Sequence, residues 1–253
     1  MLRTWIPPSD AFLCRIDGKI LVNARRRDRS GRYIPFNPVL TNPGHLRSGV
    51  STTKGITMLA SVHGKLVFDR RVRCLATAIA ERLPQGARVL DVGCGSGDLA
   101  QLVMLQRPDV RIEGIDVLVR PNTAIPVTEY DGSHIPFEDN AFDAAMVVDV
   151  LHHTDDPALV LAEIARVAPM VVIKDHLRDG IAAGPTLRFM DWVGNAAHGV
   201  RLPYNYLSHR EWKAIWQRLR LGASEFTTRL PLYPRPFSWL FGRRLHFVAI
   251  LSR

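Results

Sequence analysis

Regular patterning of apolar and polar positions begins near Met58 and continues almost to the carboxyl end of the chain. In VHGKLVFDRRVRCLATAIAERLP, Leu66, Val67, Val72, Leu75, Ala76, Ile79 and Leu83 recur near helical spacing, which predicts an amphipathic helix stopped by Pro84-Gln85-Gly86. The following segments alternate in kind. ARVLDVGC reads as a buried strand, FDAAMVVDVL as a long apolar strand, and VRIEGIDVL, IPVTEYDG and MVVIKDH as strands, whereas GDLAQLVMLQ and DPALVLAEIARVA read as helices. Apolar β-branched runs separated by helices imply parallel strands covered on both faces, so the expected class is α/β with a doubly wound, mostly parallel sheet.

Beyond Asp175-His176 the pattern weakens over about 177–207, which reads as a lid-like insertion, partly helical around Thr186 to Val193. Ser208 followed three residues later by Glu211 is a capping-box arrangement and starts another helix. SEFTTRLPL and LHFVAILSR are expected to be closing strands, separated by YPRPFSWLFGRR, whose prolines exclude a continuous strand.

Ahead of this body, residues 1–57 are rich in Arg, Gly, Pro and Asn without a sustained period, and are expected to form a mostly irregular, basic extension to a domain spanning 58–253. Within them only Phe12 to Val22, alternating loosely around Asp17-Gly18, suggests a hairpin.

Composition narrows the class further. The chain has 253 residues, 47% hydrophobic and 23% charged, which excludes a disordered, collagen-like or low-complexity protein. The net charge of +9 invites a nucleic-acid or membrane reading until it is divided. Residues 1–57 hold 10 Lys/Arg against 3 Asp/Glu, a net +7, and the remaining residues carry only +2. Cys14, Cys74 and Cys94 form neither a disulfide framework nor a metal motif, which fits a reducing compartment. The amino terminus lacks a signal-peptide stretch, and no run of about 18 apolar residues occurs, so a cytoplasmic location is expected.

Chemistry concentrates in VLDVGCGSGD, residues 89–98. A strand ending in a glycine-rich turn before a helix lets a ligand approach the backbone and meet the helix amino terminus. The third glycine of a dinucleotide fingerprint is replaced by Asp98, and Asp91 stands directly before the turn. These acids repel a pyrophosphate but suit a ligand bearing an ammonium and a sulfonium. Asp116 falls about 20 residues past the turn, at the end of the second strand, where a carboxylate can hold both ribose hydroxyls.

Through VLDVGCGSGDLA, GIDV, YDGSHIPFEDNAFDAAMVVDVLHHTDDPALVLAEIARV and VVIKDH, the sequence resembles the class I S-adenosylmethionine-dependent methyltransferases, especially the ubiquinone and menaquinone biosynthesis branch. The resemblance runs from about Leu66 to Arg253. It implies S-adenosylmethionine as cofactor, with Gly93, Cys94 and Gly95 against the methionine part and Asp91 nearby. It also implies Asp116 on the ribose, Val117 beside the adenine, Asp131 and Gly132 at the adenine edge, and Asp149 with Val150 over the methionine side. The last two strands would be the reversed pair of this fold. The Pro-punctuated connection VLVRPNTAIP departs from the family pattern, and a regular helix is not expected there.

Methyl transfer from a sulfonium is mainly a matter of alignment, and a base is needed only when the acceptor must lose a proton. Candidate bases are His152, His153, Asp175, His176, Tyr204 and Tyr206. The histidine pair matches no zinc signature, so no metal is expected. Nucleic-acid methylation is disfavoured: Val148-Asp-Val-Leu-His152 stands where amino-directed enzymes carry an Asn/Asp-Pro-Pro-aromatic motif. A non-catalytic interaction module is disfavoured by the intact turn with Asp116, Asp131 and Asp149. Phe189, Trp192, Tyr204, Tyr206, Phe237, Trp239 and Phe241 would make an aromatic lid for a small hydrophobic acceptor, such as a quinone precursor, a lipid-like molecule or a natural product. FSWLFGRR adds aromatic residues beside two arginines, a candidate for weak membrane-surface contact.

Overall fold

A computed structural model describes the backbone of residues 12–16 and 19–23, and residues 70–195, 204–235 and 237–253. The chain divides into two units, Met1–Gly55 and Ile56–Arg253. In the first, β1 (Phe12–Ile16) and β2 (Lys19–Asn23) pair antiparallel, with Ile16 opposite Lys19, so the alternation around Asp17-Gly18 does form a hairpin. The rest of the expected irregular extension lies outside the described residues.

The second unit is built on the alternation expected from its apolar runs. Helix α1 occupies residues 70–80, and the predicted helical positions Leu66 and Val67 fall outside the described part. It is followed by β3 (Arg88–Val92), α2 (Asp98–Gln106), β4 (Arg111–Asp116) and β5 (Val127–Glu129). Then come β6 (Ala144–Val148), the 3-10 turn Leu151–His153, α3 (Pro157–Val167) and β7 (Met170–His176). Helices α4 (Ala183–Asn195) and α5 (His209–Arg218), strand β8 (Gly222–Thr227), the short α6 (Ser238–Phe241) and strand β9 (His246–Ser252) complete the chain.

Among the described residues the sheet has seven strands in the order β5-β4-β3-β6-β7-β9-β8. Strands β3 to β7 are parallel, and β9 lies antiparallel between β7 and β8. Side-chain alternation sorts the core into two layers. Val89, Met146, Val172 and Val248 pack with Ile79, Ala100 and Val103 of α1 and α2. Their neighbours Leu90, Val147, Ile173 and Phe247 pack on the other face with Leu161 and Ile164 of α3 and with Trp212 and Trp216 of α5. Both faces are therefore covered, as the continuous apolar strands require.

Helix starts follow local chemistry. Asp156 caps α3, accepting from the backbone N–H of Ala158 at 2.9 Å and Leu159 at 3.1 Å. Ser208 and Glu211 close the expected capping box on α5. The strand expected through SEFTTRLPL begins two residues earlier and stops at Thr227, whose Oγ1 accepts from the backbone of Arg229 at 3.2 Å and turns the chain. Residues 117–126 contain no helix.

Candidate active site

The chain leaves β3 for β4 on one side of the sheet and crosses to β6 on the other, so a crevice opens at the carboxyl ends of β3 and its neighbours. The glycine turn is shaped for close approach. Gly93, Gly95 and Gly97 have φ of 71°, 58° and 77°, backbone that L side chains adopt at a cost. A Cβ on Gly93 would stand 2.5 Å from Val150 Cγ2, so any side chain there would displace the wall of the crevice. Asp116 holds the turn from the next strand: its two oxygens accept from the N–H of Gly95 at 2.7 Å and of Leu118 at 3.0 Å.

The crevice is a cavity of about 840 Å³. Of the candidate site residues, Gly93, Gly95, Asp116, Val117, Asp131, Gly132, Asp149, Val150 and His153 line it. Asp91, Cys94, His152, His176 and Tyr204 do not. Asp91 is buried directly below the turn, where desolvation and then the Asp116 charge push its carboxyl up to about 8. Cys94 turns its sulfur onto Gly114, and burial pushes the thiol up to about 12. That sulfur is packing rather than a nucleophile. One oxygen of Asp131 accepts from the backbone of Ser133 and His134, both at 2.7 Å, so the carboxylate also builds its own turn.

Arg120 and Tyr130 line the cavity and were not singled out in the sequence. Arg120 lies over Gly95, 3.5 Å from the position of an added Cβ, and Tyr130 is kept a neutral phenol by burial, pushed up to about 12. The carboxylates of Asp116, Asp131, Asp155 and Asp156 outnumber Arg120 on the wall. An acidic wall above a buried, protonatable Asp91 welcomes a cationic ligand, and a cation brought close would draw Asp91 back to its ionised form.

Behind Asp149 lies a buried network of charge. Asp149, in left-handed backbone with φ of 58°, ends β6. Its carboxylate bonds Arg71 of α1 at 2.6 Å and the ammonium of Lys174, a fully buried residue of β7. Burial pushes the Asp149 carboxyl up, but Lys174, Arg71 and His176 together hold it well below the usual range. Lys174 also reaches Nδ1 of His246 at 3.3 Å, and the other nitrogen of His246 donates to the carbonyl of Phe241 at 3.1 Å, which assigns the tautomer. His176, completely enclosed, is pushed down to about 4 by burial and then by Lys174, so it stays neutral.

His152 is the cation of the second half. Its Nδ1 lies 2.6 Å from Asp175, its Nε2 lies 3.4 Å from Asp191 of α4, and Tyr206 donates to the same Asp191 carboxylate. Burial alone would pull this imidazole down, but Asp175 and Asp191 push it up to about 10. Its neighbour His153 is lowered instead, by partial burial and then by the His152 charge, and therefore presents a neutral ring to the cavity. Nδ1 of His153 is buried and has no hydrogen-bond partner among the described residues. Tyr204 stands apart from the cavity, beneath the guanidinium of Arg188 at 5.5 Å.

A raised histidine has a signature in stability. With a folded value of about 10 against 6.5 unfolded, the His152 contribution is fully present below pH 6.5 and is lost as pH rises towards 10. Urea unfolding at pH 6, 8 and 9.5 should therefore show the wild-type protein losing its advantage over His152→Asn as pH rises. A difference independent of pH would mean that His152 is neutral.

A family model described as a methyltransferase domain matches residues 65–221. The chain is 34% identical over 109 residues to the O-methyltransferase rstn1 of Aspergillus nomiae, covering 37% of this chain and 48% of that one. It is 29% identical over 157 residues to the demethylmenaquinone methyltransferase of Roseiflexus castenholzii, covering 58% of this chain and 63% of that one. In both cases the chain spans less than two thirds of the relative. Among solved structures, the 1,6-didemethyltoxoflavin-N1-methyltransferase of Burkholderia thailandensis has the same fold, with a TM-score of 0.53, 18% identity, and coverage of 85% of this chain and 95% of that one. Together with the strand order and the glycine turn, the match over residues 65–221 places the chain in the methyltransferase-domain family, with the class I S-adenosylmethionine-dependent fold.

Proposed function

We propose that the protein transfers a methyl group from S-adenosylmethionine to a small, hydrophobic acceptor of the quinone-precursor or natural-product kind. The observation that carries this reading is a cavity lined by Asp116, Asp131, Asp155 and Asp156 that also presents one neutral imidazole, His153. The residues present fit the cofactor: the glycine turn leaves room that a single Cβ would fill, and the acids suit a sulfonium and an ammonium. When bound, S-adenosylmethionine supplies a methyl group already activated on sulfur.

The chain's own work is then binding, alignment and proton handling. Asp116 holds the ribose, Gly93 and Gly95 admit the methionine part, Val117 and Gly132 flank the base, and Val150 closes the wall. His153 accepts the acceptor's proton when the methylated atom carries one. His152 packs against that ring with centroids 4.0 Å apart and is itself held by Asp175 and His176. Residues 58–253 form the methyltransferase domain in this reading, and 177–207 its lid. A cytoplasmic location, where Cys74 and Cys94 remain free thiols, belongs to the same proposal. No helix among the described residues is long and apolar enough to cross a membrane.

Comparing extracts of cells with and without the gene by mass spectrometry should reveal a product one methylene heavier than its precursor. Purified protein that binds neither S-adenosylmethionine nor S-adenosylhomocysteine would sink the proposal. Asp116→Ala should weaken S-adenosylhomocysteine by about 1.5–3 kcal/mol, since hydrogen bonds to a charged acceptor are lost. Calorimetry giving an unchanged Kd would confine Asp116 to holding Gly95 and Leu118.

A further inference from the structure

Helix α4 has two faces. Ala183, Leu187 and Asp191 point inward, and Asp191 reaches His152, next to the ring that lines the cavity. Outward, Phe189 is 54% and Trp192 59% exposed, their rings 6.4 Å apart. Just before the helix Ile181 is 91% exposed, and on α6 Trp239 and Leu240 are 70% and 52% exposed. Arg243 joins the two segments, bonding the carbonyls of Leu240 at 2.9 Å and Ile181 at 3.4 Å and Thr186 Oγ1 at 3.1 Å. His246 pairs with His176, so both segments lie at the end of the sheet where the cavity opens.

Large apolar side chains gathered on a surface mark an interaction site. The charges around them choose the partner. Arg188, Arg235, Arg243 and Arg244 are exposed and make no ion pair among the described residues. Residues 1–57 add a net +7, and an anionic surface attracts these charges as well as the arginines of the patch. Two tryptophans, a phenylalanine and aliphatic side chains amid arginines match the headgroup boundary of a bilayer.

We propose that the α4–α6 surface docks on anionic membranes, bringing the cavity mouth to the phase in which a hydrophobic acceptor dissolves. This deepens the acceptor reading above and rests on it for its purpose, but not for its test. The full chain should co-sediment with phosphatidylcholine vesicles containing phosphatidylglycerol, more weakly at high salt, and much less with phosphatidylcholine alone. Tryptophan emission should shift to the blue on binding. Trp192→Ser with Trp239→Ser should lose tenfold or more of the partition, and Arg188→Gln and Arg244→Gln about fivefold each.

Failure to sediment with either vesicle overturns the proposal. So does undiminished binding by the double tryptophan variant, which would assign membrane contact to the basic front segment. Light scattering that shows a dimer dissolved by the same substitutions would assign the patch to a second copy of the chain and overturn it too. Calorimetry with S-adenosylhomocysteine on every variant keeps the two readings apart: binding without docking sinks only this inference, and docking without binding sinks only the methyltransferase reading.

Discussion

His153→Gln should lower kcat by about 10²- to 10⁴-fold on an acceptor that loses a proton, the range for removing a positioned base, while leaving the Kd for S-adenosylhomocysteine nearly unchanged. The pH profile identifies the residue. His153 is lowered by burial and by the cation at His152, so the acid limb of kcat/KM should lie below the ordinary imidazole value, with activity falling as His153 becomes protonated. Were His152 the base, its value of about 10 would leave it protonated at neutral pH, and activity would climb into the alkaline range. An alkaline limb, or a His153→Gln variant with wild-type kcat, would remove His153 from the mechanism.

Asp149→Ala should cost about 3–5 kcal/mol of stability, the usual result of deleting one partner of a buried ion pair. Lys174 is fully enclosed and relies on this carboxylate; among the described residues its other hydrogen bond goes to the neutral His246. Alanine also fits poorly at a φ of 58°, where Asn is better tolerated, so Asp149→Asn should fall less far. Adding Lys174→Met to Asp149→Asn should recover much of the loss, because the stranded ammonium is what costs most. Urea unfolding of the two single variants and the pair measures this coupling, and purely additive losses would show that the two side chains do not depend on each other.

The legible parts of the molecule are those fixed by short-range rules. The glycine turn, Asp116 and the Ser208–Glu211 box are local, so their residue types announce their structure. The lining of the cavity was readable because much of it follows strand ends in chain order. The charged network was half visible: Lys174 directly after the apolar run MVVI of a strand is a signal that a buried partner exists. The second cation on the Asp149 carboxylate was not readable, since Arg71 meets Asp149 across 78 positions of sequence. Telling His152 from His153 needed geometry as well, because Asp175 and Asp191 raise the first while burial and the His152 charge lower the second.

The place of β9 in the sheet also sets an order of assembly. As synthesis proceeds, β7 has its parallel neighbour β6 in hand, but its other edge stays bare, and β8 is made with no strand to join. Both wait for His246–Ser252, which fills the gap in one step by pairing with Met170–His176 on one side and Gly222–Thr227 on the other. A nascent chain that has emerged only as far as Arg244 therefore exposes two unpaired edges and the apolar underside of α5, the state in which a helper that masks strands would matter most.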